Sequence, residues 1–189
     1  MGYGSKLYNK YKFLIIFTSK LLGIFPRTLR MTLWNGCNNI SGKIGVGIRY
    51  CLLRSLAKHC GDNVFIGKGV ELIDINNLSI GSNVSIHKNC YIDSSGSITI
   101  GDNVSIAHNS SLLSFEHTWE DKSLPIKYNK LIHSPVFISD DVWIGCGCRI
   151  LAGVTLGYRT IVAAGAVVVK GGPGNEIIGG VPAKKIKEI

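Results

Sequence analysis

Between Val136 and Val168 a large aliphatic residue recurs at every sixth position, through Ile138, Ile144, Ile150, Leu156, Val162 and Val168. A second series of smaller residues keeps step with it: Val136, Val142, Cys148, Val154, Thr160 and Ala166. Six is a multiple of the strand period of two and a poor match to 3.6, so both series face one interior only if the chain is built from short extended segments. A sustained six-residue period of this kind is the signature of a parallel β-helix. The large position extends upstream through Ile66, Leu72, Ile80, Ile86, Ile92, Ile100, Ile106 and Leu112 before resuming at Ile138.

Three steps of this series are longer than six. Leu72 to Ile80 and Ile92 to Ile100 each span eight residues, and Leu112 to Ile138 spans twenty-six. If three repeats make one triangular coil, all three long steps fall at the same corner of successive coils. The first two absorb the turn-forming pairs Asn76-Asn77 and Ser95-Gly96. The third inserts twenty residues, a loop of a length that compact domains reserve for function. Gly67, Gly81, Gly101, Gly145 and Gly157 each follow an inward residue, where the chain turns and a positive φ is expected. Asn83, Asp102-Asn103 and Asp140-Asp141 suit tight turns.

With 189 residues and 46% apolar content, the chain has enough material for one domain with appendages. Its net charge of +9 is not spread evenly. Residues 1–61 hold ten Lys or Arg and no Asp or Glu, whereas residues 62–189 hold eleven basic and twelve acidic side chains. The repeats are therefore near neutral, which argues against a nucleic-acid surface. The expected division is a basic, partly helical segment (1–60), a β-helix (61–170) with an inserted loop (113–135), and a C-terminal tail (171–189).

The basic segment carries apolar clusters at Phe13–Phe17 and Leu21–Phe25, preceded by Lys6, Lys10 and Lys12. They are too short and interrupted to span a bilayer, which takes about 20 apolar residues. A helix stopping near Pro26 has two readings: residues 1–30 lie on an anionic membrane surface, or they pack on the protein or a neighbouring subunit. A second short helix is expected from Arg49 to His59, with Leu52, Leu53 and Leu56 inward and Gly61 as its stop. Cys37, Cys51, Cys60, Cys90, Cys146 and Cys148 form no CxxC pair, and no cleavable signal peptide is evident, so reduced thiols in the cytoplasm are expected. Cys90 and Cys148 occupy small inward positions and read as core.

Four further features resemble one family. They are a histidine in Ser114-Phe115-Glu116-His117-Thr118, the run Asp141-Val142-Trp143-Ile144-Gly145, the run Ala163-Ala164-Gly165-Ala166-Val167-Val168, and Gly179-Gly180-Val181-Pro182-Ala183-Lys184-Lys185-Ile186-Lys187. Over roughly residues 61–187 the chain resembles the hexapeptide-repeat acyltransferases, and within them the maltose, galactoside and polysaccharide O-acetyltransferases. The resemblance implies a left-handed β-helix, a homotrimer, and acetyl-CoA held in the cleft between subunits, with no metal.

The same resemblance makes His117 the general base, a task that suits an imidazole titrating near working pH. It places Trp143 at the mouth of the site, Gly145, Cys146 and Ala164 along the pantetheine arm of acetyl-CoA, and Lys170 and Lys184 at its phosphates, with Lys185 and Lys187 as alternates. An Asn and an Asp that contact the acceptor in the maltose and galactoside enzymes align with His87 and Ser95, and Asn89 is a further acceptor candidate. The missing carboxylate implies a different hydroxyl partner. The stretch Lys170-Gly171-Gly172-Pro173-Gly174 also departs from the family, which commonly has an Asp before its proline.

The function expected is acetyl transfer to a sugar hydroxyl in cell-surface polysaccharide (capsule, O-antigen or exopolysaccharide) biosynthesis, in the cytoplasm at the inner face of the membrane. An antibiotic or serine acetyltransferase of the same fold and a non-catalytic binding scaffold remain as alternatives. A zinc-dependent carbonic anhydrase of similar architecture needs three converging histidines, and His87, His108, His117 and His133 lack the repeating spacing of such a site.

Overall fold

The computed structural model describes residues 3–189; the first two positions of the basic segment lie outside the described residues. Three helices come first: α1 (Tyr3–Gly23), α2 (Arg27–Cys37) and α3 (Gly42–Leu56). The chain then winds into a parallel β-helix. Its first coil comprises β1 (His59–Cys60), β2 (Phe65–Ile66) and β3 (Glu71–Ile73); the second, β4 (Leu78–Ile80), β5 (Ser85–Ile86) and β6 (Tyr91–Asp93); the third, β7 (Ile98–Ile100), β8 (Ser105–Ile106) and β9 (Ser111–Leu113). An arm of two strands, β10 (Phe115–His117) and β11 (Leu131–His133), interrupts the winding. It resumes with β12 (Val136–Ile138), β13 (Trp143–Ile144), β14 (Arg149–Ile150), β15 (Thr155–Val162) and β16 (Val167–Val168), and ends in β17 (Gly172–Gly180) and β18 (Ala183–Glu188).

Successive coils stack strand on strand into three walls. The first wall runs β1, β4, β7, β12 and the start of β15; the second β2, β5, β8, β13 and the end of β15; the third β3, β6, β9, β14 and β16. Registers reproduce the sequence spacing. Ser79 pairs with Thr99, Thr99 with Phe137, and Phe137 with Thr155, steps of 20, 38 and 18 residues. The second wall gives the same three steps through Ser85, Ser105, Trp143 and Ile161. All three long steps of the sequence therefore fall on the edge between the third wall and the first, as the repeat count requires.

The interior is the two in-phase series. Ile66, Ile86, Ile106, Ile144 and Val162 fill the second wall and Leu72, Ile92, Leu112, Ile150 and Val168 the third, all buried. Each such side chain contributes about 1.5–3 kcal/mol on burial. Cys90 and Cys148 lie in the small column, 1% and 0% exposed, and burial raises both thiol pKa values.

One expectation about glycine is corrected. Gly67, Gly81, Gly101, Gly145 and Gly157 do not have positive φ. Their role is close stacking: a Cβ on Gly81 would lie 2.7 Å from the Gly101 carbonyl carbon and oxygen of the next coil. Left-handed positions belong instead to residues such as Asn83, Asn103 and Asp141, whose short polar side chains tolerate a positive φ that a β-branched residue would not. Asn63, Asn83 and Asn103 stack along the edge between the first and second walls, each amide donating to the next at 2.9 and 3.1 Å.

The helices differ from the sequence expectation in two ways. α2 was not anticipated, and α3 begins at Gly42 and ends at Leu56 rather than running from Arg49 to His59. α3 stops because the chain joins the ladder: Lys58 N–H donates to Leu78 O and Gly61 N–H to Ile80 O. Leu52, Leu53 and Leu56 are buried at its inner face, and Tyr50 Oη donates to Gly61 O at 2.8 Å. Arg49, also buried, donates from Nε to Ile66 O and from Nη1 to Asn38 O and Ile40 O, joining helices to first coil. At the other end β17 continues the ladder parallel to β15, and β18 folds back antiparallel on β17.

Candidate active site

His117 ends the outgoing strand of the arm, opposite Leu131. The imidazole is exposed and meets the Phe115 ring edge-on at 6.4 Å between centroids. The arm is knitted by its own backbone and a few polar side chains. Thr118 Oγ1 donates to Lys130 O, and the buried Asn129 donates from Nδ2 to Asp121 O, with Leu124 O and Pro125 O nearby. Asp121 accepts from Ser123 N–H and Oγ, bonds that lower its pKa.

The root of the arm is a lock that sequence reasoning missed. Ser114 is fully buried; its Oγ donates to Asp93 O at 2.7 Å and accepts from Gly96 N–H at 2.8 Å. Its carbonyl accepts from Ser134 N–H, so the outgoing and returning strands are pinned to the second coil at one point. Ser95 stands on this same edge, one coil below the arm. Its N–H donates to Asp93 Oδ1, while its Oγ is buried with no hydrogen-bond partner among the described residues. A Ser preceding a long insertion was the only sequence signal for the lock, and serine is too common in turns to be read that way.

The remaining candidates gather on the edge between the second and third walls. Backbone bonds Gly67 to Ile86, His87 to Ile106, Ala107 to Ile144, Gly145 to Val162 and Ala163 to Ile178 stack its turns in one column. His87 and Asn89 therefore share an edge with Gly145, Cys146 and Ala164 rather than with Ser95 and His117. Trp143 stands on the second wall beside this edge, half exposed, above Ser105. Lys184 reaches the top of the column, because β18 pairs Lys184 with Gly179. Lys170, just beyond β16, lies on the edge that carries the arm. Within one chain the structure thus forms two groups on two edges. One holds His117, Ser95 and Lys170, the other Trp143, Gly145, Cys146, Ala164, Lys184, His87 and Asn89.

The second group fits an extended amide-bearing ligand such as the pantetheine arm. Gly145, Cys146 and Ala164 are small, and the amides of Cys146 and Ala164 donate to no acceptor among the described residues. Gly145 admits no Cβ, which would lie 2.6 Å from Ala164 N. Lys185 is held by Glu188 at 2.8 Å, which leaves Lys184 the better placed cation for a phosphate. Four of the five histidines divide likewise: His87 and His108 on this edge, His117 and His133 on the arm, with His59 apart in β1. No His, Cys, Asp or Glu cluster among the described residues could hold a metal ion.

A parallel β-helix of hexapeptide coils interrupted by one histidine-bearing arm defines the class of protein. Residues 77–114 and 135–170 match the model for the hexapeptide repeat of succinyl-transferase. A galactoside acetyltransferase solved in complex with coenzyme A is 32% identical, with a TM-score of 0.78 over 86% of this chain and 80% of that one. A maltose O-acetyltransferase of Clostridium difficile is 29% identical, TM-score 0.78, over 89% and 88%. A hexapeptide-repeat acetyltransferase of Vibrio cholerae, complexed with acetyl-coenzyme A, is 29% identical, TM-score 0.76, over 86% of each chain. Curated relatives match locally: the chain spans about a quarter of the length of the first of them. A 2,3,4,5-tetrahydropyridine-2,6-dicarboxylate N-acetyltransferase of Staphylococcus aureus is 51% identical over 55 residues, 29% of this chain and 23% of that protein. The chain belongs to the hexapeptide-repeat acetyltransferases.

Proposed function

We propose that this protein is an acetyl-CoA-dependent O-acetyltransferase acting on a sugar hydroxyl, with His117 as general base. The observation that carries the reading is the arm itself: a long insertion, pinned at Ser114 and braced by Asn129, that presents the exposed imidazole of His117 at the end of its outgoing strand, with His133 nearer the root opposite Phe115. Acetyl-CoA supplies the acetyl group as a thioester. His117 removes the acceptor's hydroxyl proton as that oxygen bonds to the carbonyl carbon, and returns it to the departing thiol as the carbon–sulfur bond breaks. The backbone at Cys146 and Ala164 holds the pantetheine arm, and Lys184 with Lys170 meets the phosphates.

The two groups of residues lie on different edges of one chain, so a homotrimer that sets the arm of one subunit against the column of the next would complete the site. The galactoside and maltose enzymes among its structural relatives support a sugar acceptor. His87, Asn89 and Ser95 would contact it, Ser95 after its side chain turns outward, since its Oγ is buried in this structure. A cell-surface polysaccharide precursor is the acceptor class we favour, because the cationic N-terminal segment suits work beside anionic lipid. The reaction belongs in the cytoplasm, where buried free thiols such as Cys90 and Cys148 persist.

CoA release from acetyl-CoA is measured with sugars, nucleotide sugars, glycans, serine and antibiotics as acceptors. Release with hydroxylated sugars or glycans is expected. Release confined to serine or an antibiotic overturns the acceptor, and none with any acceptor overturns the enzyme.

A further inference from the structure

Helix α1 has two apolar faces where a helix docked on a core needs one. Tyr8, Ile15 and Leu22 turn inward and pack on the core. On the opposite side Phe13, Phe17 and Leu21 recur at helical spacing, with Ile24 just past the helix end, all between 48% and 84% exposed. Lys6, Lys10 and Lys20 fall on the same outward line. Leu33 and Ile44, exposed on α2 and α3, face elsewhere: with the inward Tyr8, Ile15 and Leu22 they line an apolar groove of about 1350 Å³ between the helices and the coils, beside His87.

Charge identifies what covers this face. Residues 1–61 contain ten cations and no carboxylate. A second copy meeting it face to face would bring the same lysines together, and the near-neutral repeats offer no anionic complement. Among the described residues no helix is long and apolar enough to cross a membrane. We propose that the outer face of α1 docks in the plane of an anionic lipid bilayer. Phe13, Phe17, Leu21 and Ile24 enter the boundary between headgroups and acyl chains, and Lys6, Lys10 and Lys20 meet lipid phosphates. The inference stands apart from acetyl transfer, since binding is measured without substrate.

Full-length protein is sedimented with vesicles of phosphatidylcholine alone or with about one third phosphatidylglycerol. Binding to the anionic vesicles is expected, with little to the neutral ones. Exchanging Lys6, Lys10 or Lys20 for Ala should weaken it roughly fivefold each, and the double variant Phe13→Glu/Phe17→Glu should abolish it with the melting temperature unchanged. Absent binding, equal binding to both vesicles, or full binding by the variants overturns the proposal. A lower sedimentation coefficient of the Phe13→Glu/Phe17→Glu protein would also overturn it, since the face would then be a contact between copies. Should that variant fold poorly, the single Lys→Ala proteins, altered only at exposed side chains, decide the matter alone.

Discussion

Asp62 is the first carboxylate in the chain and ties three elements together. Lys12 Nζ of α1 donates to it at 2.7 Å and Arg54 Nη1 of α3 at 3.0 Å, while its own backbone enters the first coil. The Lys12 hydrogen bond, supported by Arg54, lowers its pKa to about 2. A folded-state pKa below the unfolded value, about 4, stabilises the protein above pH 4, and that contribution is lost as pH falls from about 4 to about 2. Asp62→Asn should therefore melt a few degrees below the natural protein at pH 7, and the gap should close between pH 4 and 2. A gap that persists at pH 2 would mean that the side chain acts through packing. Both partners are partly exposed, so the effect should also shrink with salt.

Among the elements, the coils depend on glycine for close approach at turn after turn, whereas in the helices Gly45 does so, against Ile40 O, and Gly47 does not. Gly81→Ala puts a Cβ 2.7 Å from the backbone of Gly101, a clash that no side-chain rotation relieves. It should cost roughly 2–3 kcal/mol in chemical denaturation. Gly47→Ala in α3, with nothing within 4 Å, should instead stabilise by about 0.5–1 kcal/mol. Equal effects of the two changes would contradict the stacking account. The coils were legible in the sequence because their side chains alternate on a fixed step, and one miscounted residue would have turned every Ile outward. The helices were less so. Gly42, Gly45 and Gly47 lower the helix propensity of the first half of α3 and hid its start. α2 buries Trp34 but leaves Leu29 and Leu33 exposed, so no single apolar stripe marks it.

At the scale of the molecule, the six-residue step located the arm and hence His117, and the registers of the walls place both on one edge. The same count parts His87 and Asn89, between Ile86 and Ile92, from Ser95, between Ile92 and Ile100, but sequence could not show the arm's own pairing of Phe115 with His133. Nor could it show the lock at Ser114, whose partners Asp93 and Gly96 are a coil away. The central claim is that the arm brings a base to an acetyl group held along the column of small residues. Its most direct test is turnover of acetyl-CoA with the best acceptor by the natural protein and by His117→Ala, with acetyl-CoA binding followed by calorimetry. The account predicts a loss of roughly 10²- to 10⁴-fold in turnover with acetyl-CoA binding retained; near-normal turnover in the variant would contradict it.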